Sequence, residues 1–148
     1  MECSYLSEKY FKPDRGILEQ LKLSENEQFI FFRFTSRTSL HDMGKRGITD
    51  VQKLKLINAY SDNYRIFISS EIPLPKHLKK YKINIEVDKI HSVLYHASLF
   101  IGESPTMAAE SALLGTPAIY LIMMEGDIQI GFLMSLILYI GLMRIRKE

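Results

Sequence analysis

The sequence predicts an α/β protein with a parallel, doubly wound sheet, and two observations lead to this prediction. Short apolar runs of strand length alternate along the chain with segments whose apolar residues recur at helical spacing. The first run, Phe29–Phe34, is continuous rather than alternating, as expected for a strand that is covered on both faces. Strands and helices that alternate at short spacing favour parallel strands with helices on both sides of the sheet.

Five strands are predicted, separated by helices. The strands are expected at residues 29–34, 65–69, 83–87, 98–101 and 117–122. Helices are expected after Pro13-Asp14, after Thr49, after Asp88 and after Ser104, where apolar residues lie three or four positions apart. Ligands bind at the carboxyl ends of the strands in such sheets, so the candidate loops are 35–48 and 102–106.

Two of the predicted helices have strong start signals. Thr49 and Gln52 have the spacing of a capping box. Ser104 is a preferred N-cap residue, and Pro105 suits the first helical position. Gly115 predicts the end of the last helix, because glycine accepts the left-handed conformation that often terminates helices.

Composition excludes several classes of protein. The 148 residues suit one domain, and a net charge of +2 gives no indication of a nucleic-acid partner. The single cysteine, Cys3, excludes a disulfide framework and a cysteine-based zinc site. No metal site is predicted, because His91 and His96 point to different sides of their predicted helix. The chain also lacks the glycine-rich fingerprints of dinucleotide-binding proteins and of P-loop nucleotidases.

The two ends of the chain differ from its middle. Charged residues throughout the first twenty positions exclude a secretory leader, which predicts a cytoplasmic protein. Residues 128–143 carry no charge, but a helix of that length spans about 24 Å, less than the roughly 30 Å of a bilayer core. We therefore expect an apolar C-terminal helix that is buried or covered by a partner chain. A membrane anchor through residues 128–143, or association with the inner face of a membrane, is the less favoured alternative.

These observations divide the chain into three regions. Residues 1–27 are predicted to form a linker helix region, residues 28–124 the sheet domain, and residues 125–148 the apolar tail. The basic run at residues 76–82 is interpreted as a solvated surface, with anionic lipid as the alternative contact.

The segment that begins at Gly102 has the residue types of an anion-binding site. A helix N-terminus supplies amide donors and a partial positive charge, and Ser104 and Thr106 add hydroxyl groups. Glu110 lies four residues after Thr106, on the same helix face and about 6 Å further along the axis. This offset matches the distance from a diphosphate to its ribose. The alternative interpretation is that Glu110 is solvated and Ser104 is an ordinary cap.

The same segment resembles the nucleotide-binding segment of GT-B-type glycosyltransferases and of UDP-N-acetylglucosamine 2-epimerase. The resemblance rests on Phe-Ile-Gly-Glu-Ser-Pro-Thr-Met-Ala-Ala-Glu at 100–110, followed by Gly-Thr-Pro at 115–117. Over about three quarters of its length, the chain resembles an uncharacterised family of glycosyltransferase-like proteins from sugar-polymer gene clusters. The further motifs are Phe-Arg-Phe at 32–34, His-Asp-Met-Gly at 41–44 and Phe-Ile-Ser-Ser-Glu at 67–71.

The resemblance implies a Rossmann-like domain, the second of the two in a GT-B protein, with a UDP-sugar as donor substrate and no cofactor. It places Gly102 and Ser104 beside the diphosphate and Glu110 at the ribose, with Arg33 and Arg37 as basic contacts after the first strand. The family's first domain, which holds the acceptor site, is not matched. The chain is therefore expected to bind a nucleotide-sugar and to need an N-terminal Rossmann-like domain or partner chain for catalysis.

Two departures from the family pattern leave an alternative open. Pro105 stands where a glycine is often found, which removes one amide donor. After Ile122 the sequence no longer resembles the family, and the apolar tail follows. The alternative function is a non-catalytic remnant or subunit that pairs with a partner chain or membrane through this tail.

Overall fold

The computed structural model describes residues 6, 9–36, 47–124 and 127–130. The strands are β1 (Phe29–Phe34), β2 (Arg65–Ser70), β3 (Leu99–Gly102), β4 (Ala118–Met124) and β5 (Asp127–Ile130). The α-helices are α1 (Gly16–Gln20), α2 (Asp50–Tyr60), α3 (Ile90–His96) and α4 (Pro105–Leu113), and short 3-10 helices lie at Lys76–Tyr81 and Val87–Lys89. None of the helices in these ranges is long and apolar enough to cross a membrane.

The strands form one sheet in the order β2-β1-β3-β4-β5. The first four are parallel, and β5 pairs antiparallel with β4. Helices cover the parallel strands, which confirms the predicted Rossmann-like α/β fold. The predicted strands at 29–34, 65–69, 98–101 and 117–122 correspond to β1 to β4 with small changes at their ends.

Apolar side chains from successive residues of β1 fill two separate cores. Phe29 and Phe31 pack with α3 and α4 on one face of the sheet, and Ile30 and Phe32 pack with α2 on the other. All four side chains are at most 1% exposed, and full burial of one such side chain contributes about 1.5 to 3 kcal/mol. Both faces of β1 are therefore covered, which is the reason expected for its continuous apolar run.

The N-terminal region belongs to the first of these cores. Ile17 and Leu21 of the α1 region are buried in the same cluster as Phe29 and Val93. The Asp14 amide donates to Ser92 Oγ at 3.0 Å, which fastens this region to α3. Residues predicted to form a linker helix therefore pack directly on the sheet domain.

The strand predicted at residues 83–87 is not formed. The chain makes one parallel bridge between Lys82 and Ile68, in which the Ile83 amide donates to the Ile68 carbonyl at 2.8 Å. It then leaves the sheet edge, and Ile83 and Ile85 pack against the core instead. The alternation of apolar residues correctly indicates a half-buried segment. A strand also needs a neighbouring strand that supplies a continuous row of hydrogen bonds.

The predicted apolar helix at the C-terminus is wrong at its start. Asp127–Ile130 is a strand, in register with β4 from Leu121 to Met124, and it extends the sheet beyond residue 124. Antiparallel strands need only a short connection, and two residues separate β4 from β5. The rest of the predicted helix, residues 131–143, lies outside the described residues.

Candidate functional site

The carboxyl ends of β1 and β3 lie side by side at the point where the strand order reverses. From β1 the chain passes to β2 on one side, whereas β3, on the other side of β1, leads on to β4. Ligands of doubly wound sheets bind in the crevice at such a point. The structure thus places the candidate loops 35–48 and 102–106 after neighbouring strands.

Ser104 begins α4 as predicted. Its Oγ accepts a hydrogen bond from the Met107 amide at 3.2 Å, and Pro105 occupies the first helical position. The Ala108 amide donates to the Ser104 carbonyl at 3.0 Å. Proline has no amide hydrogen, so within the described residues the start of α4 has two remaining amides, those of Ser104 and Thr106, beside two hydroxyl groups.

The electrostatic character of this helix start follows from its side chains. The first turn of α4, which the structure describes completely, contains no acidic residue. Thr106 is exposed there. The partial positive charge of the helix N-terminus is therefore not offset within its own turn, and an anion would be stabilised at this point.

Glu110 is nearly buried, which contradicts the alternative that it is a solvated helix residue. Its side chain is 9% exposed, and Oε2 lies 3.3 Å from Nε2 of His91 on α3. Thr106 lies one turn before Glu110 on the same side of α4. The carboxylate is therefore held in the groove between α3 and α4, with the Thr106 position nearer the helix start.

His91 also packs against the N-terminal region. The Phe11 ring packs edge-on against the imidazole, with ring centroids 6.1 Å apart and an interplanar angle of 76°. From the sequence, His91 was excluded as a metal ligand. In the structure it contacts Glu110, a pairing that the sequence did not indicate.

Gly102 has a packing role that explains its residue type. It pairs with Arg33 across β1 and β3. A Cβ atom at residue 102 would lie 2.7 Å from the Arg33 carbonyl oxygen and 2.8 Å from Cζ of Phe100. A side chain here would push the two strands apart at the carboxyl edge of the sheet.

Arg33 is engaged by β2 and the residue that follows it. Nη1 donates to Ser69 Oγ at 2.6 Å, and Nη2 pairs with Glu71 Oε1 at 2.7 Å. Nε is buried and has no hydrogen-bond partner among the described residues. A hydrogen bond from the Ser36 amide is the largest cause that lowers the pKa of Glu71, and the hydroxyl of Ser36 and the charge of Arg33 act in the same direction. The predicted phosphate contact would require Arg33 to share these partners.

Arg37 and the His-Asp-Met-Gly motif at 41–44 lie outside the described residues.

Glu103 is a buried side chain at this edge that the sequence analysis did not single out. It is 4% exposed, and its two carboxylate oxygens accept hydrogen bonds from the Thr35 amide at 3.2 Å and the Ile48 amide at 3.0 Å. It thereby fixes both ends of the 35–48 loop beside β3. An acidic residue directly after a buried apolar strand, at the edge where ligands bind, was the signal that could have identified it.

No protein-family model, curated protein or solved structure matches this chain. Within the described ranges, no group of three or more His, Cys, Asp or Glu side chains is arranged to hold a metal ion.

Proposed function

We propose that this chain binds a nucleotide-sugar, with UDP as the nucleotide, in the crevice between the ends of β1 and β3 and the start of α4. The chain would be the donor-binding half of a GT-B-like glycosyltransferase in the cytoplasm. An N-terminal Rossmann-like domain or a partner chain would supply the acceptor site. The observation that supports this proposal most strongly is the position of Glu110.

Glu110 has the properties that ribose recognition requires. A carboxylate accepts hydrogen bonds from both hydroxyls of a vicinal diol. Its low exposure of 9% reduces competition from water, and its place on α4 is about 6 Å from Thr106 along the helix axis. A diphosphate at the helix start would therefore bring its ribose to Glu110.

The start of α4 would hold the diphosphate. The amides of Ser104 and Thr106 lie at the start of the helix, and their hydroxyls add two further donors. No acidic side chain of the first turn opposes the negative charge. In a completed enzyme, the same donors would stabilise the diphosphate as it leaves the sugar, without a metal ion.

Calorimetric titration with UDP tests this proposal. We expect the wild-type chain to bind UDP and the Glu110→Gln variant to bind it about tenfold more weakly, because an amide accepts fewer hydrogen bonds from the ribose than a carboxylate does. Glu25→Gln is the matched control, since Glu25 is exposed on the segment that precedes β1, at the opposite edge of the sheet.

The outcomes separate binding from folding. Gln at residue 110 can still accept a hydrogen bond from His91, so the variant should unfold in a single transition like the wild type. No binding of UDP to the wild-type chain, or equal affinities for the wild type and Glu110→Gln, would contradict the proposal. An equal loss of affinity in Glu25→Gln would show that the loss is not specific to residue 110.

A further inference from the structure

Glu110 and His91 face each other across the groove between α3 and α4. Nε2 of His91 lies 3.3 Å from Oε2 of Glu110, and the two side chains are 29% and 9% exposed. A carboxylate this far from water needs a hydrogen-bond donor, because an unpaired buried charge is strongly unfavourable. The imidazole supplies a donor whose direction is set by its ring.

We infer that His91 is a positioning residue for ribose recognition, and this inference rests on the proposed function. The Nε2–H group of His91 donates to one oxygen of Glu110 and thereby fixes the plane of the carboxylate. A carboxylate has about four acceptor positions, of which this bond uses one. The two ribose hydroxyls of the nucleotide donate to others, so His91 acts through Glu110 without itself contacting the reacting atoms.

The N-terminal arm, residues 11–14, also contacts the imidazole. Phe11 packs edge-on against His91 and also contacts the core. Asp14 fastens the arm to the beginning of α3, through a 2.7 Å salt bridge with Lys89 and the hydrogen bond from its amide to Ser92 Oγ. The His91 ring thus contacts both Phe11 and Glu110, which limits its rotation.

The experiment compares UDP with its dideoxy analogue, which lacks both ribose hydroxyls. His91→Phe keeps a flat ring against Phe11 and cannot donate to Glu110, whereas His91→Gln keeps a donor and loses the ring. We expect His91→Phe to weaken UDP binding about tenfold and to leave binding of the dideoxy analogue within about twofold of the wild-type value. His91→Gln should recover part of the preference for UDP.

A measurement on the wild-type chain needs no substitution. The imidazole resonances of His91 should shift when UDP is added and should stay in place when the dideoxy analogue is added, because only UDP brings hydroxyls to Glu110. This result stands even if either His91 variant is poorly folded.

The possible failures are distinguishable. Equal weakening of UDP and the dideoxy analogue in His91→Phe would show that His91 only supports the groove, and unchanged UDP affinity would show that it has no role. Either result overturns the inference and leaves the nucleotide site intact. A wild-type chain that binds neither nucleotide, or does not distinguish them, would overturn the proposed function and the inference together.

Discussion

The helices α2 and α4 both begin at the carboxyl edge of the sheet, and their first turns differ in how they satisfy the backbone. Thr49 caps α2 in a capping box, in which the Gln52 amide donates to the Thr49 hydroxyl and the Gln52 side chain accepts from the Thr49 amide. Asp50 adds a negative charge in the first turn, 3.5 Å from the buried Lys53 ammonium. The start of α2 is thus neutralised by the chain itself.

The start of α4 lacks both devices. Ser104 caps it through the Met107 amide alone, Pro105 follows, and no acidic side chain is present in the first turn. The first turns of two helices at one edge therefore differ in charge, and the carboxylate that precedes α4, that of Glu103, accepts from the amides of Thr35 and Ile48. This difference supports the position of the diphosphate in the proposed function.

Glu103 connects the two helix starts. It precedes the Ser104 cap of α4 by one residue, and its Oε1 accepts from the amide of Ile48, which precedes the Thr49 cap of α2 by one residue. A displacement of either helix start would therefore disturb the hydrogen bond between the Ile48 amide and the Glu103 carboxylate, which links the two starts.

The largest expected effect compares the glycines that lie two residues before each cap. A Cβ at Gly102 would approach the Arg33 carbonyl oxygen to 2.7 Å, whereas a Cβ at Gly47 would meet only Glu103 Oε1, at 3.4 Å. We expect Gly102→Ala to lower the free energy of unfolding by about 2 to 3 kcal/mol, because the strands must separate. Gly47→Ala should change it by less than about 1 kcal/mol. Urea unfolding of both variants measures the difference, and equal losses would contradict the close approach of β1 and β3.

The second effect compares two carboxylates that accept from consecutive amides. Glu103 accepts from Thr35 and is 4% exposed, whereas Glu71 accepts from Ser36 and has a side chain that is 41% exposed. Glu103→Gln should lower the free energy of unfolding by about 1 to 2 kcal/mol at neutral pH, because its amide group faces a buried donor. Glu71→Gln should cost less, since water can replace the lost bond. Equal costs would contradict the burial of Glu103.

Glu71 should also contribute to the loss of stability at acid pH. Hydrogen bonds from Ser36 and the charge of Arg33 lower the pKa of Glu71 in the folded chain below its ordinary value of 4.5. Its contribution to stability is therefore fully present above pH 4.5 and is lost as the pH falls through the folded-state pKa. Unfolding measured from neutral to acid pH should show a smaller acid loss in Glu71→Gln than in the wild type.

The sequence could predict features that depend on neighbouring residues. The caps at Thr49 and Ser104 and the end of α4 at Gly115, whose φ is 88°, follow from local residue chemistry. The strands β1 and β3 can be predicted from continuous apolar runs, which are typical of strands whose two faces are both covered.

Features that depend on distant partners could not be predicted in this way. Glu103 binds amides 68 and 55 residues away in the chain, and no local pattern indicates such partners. The pairing of Glu110 with His91 depends on how α3 and α4 pack. The predicted strand at 83–87 failed for the same reason, because alternation shows which side chains are buried but not whether a neighbouring strand is available.

The smallest expected effects come from substitutions that exchange the first-turn charges of α2 and α4. Thr106→Asp introduces an acid into the first turn of α4, and we expect it to change the free energy of unfolding by less than about 0.5 kcal/mol, because repulsion from Glu110 four residues later opposes the gain from the helix dipole. It should weaken UDP binding about tenfold, because the new carboxylate repels the diphosphate. Asp50→Asn removes the acid from α2 and should lower the free energy of unfolding by about 0.5 to 1 kcal/mol, with UDP affinity unchanged.

Thr106→Asn is the control, since it has nearly the same shape as Thr106→Asp and no charge. It should leave the free energy of unfolding within about 0.3 kcal/mol of the wild-type value and reduce UDP affinity much less than the acid does. If Thr106→Asp binds UDP like the wild type, the diphosphate lies elsewhere. If Asp50→Asn changes UDP affinity as much as Thr106→Asp does, the difference in charge between the two helix starts does not determine where UDP binds.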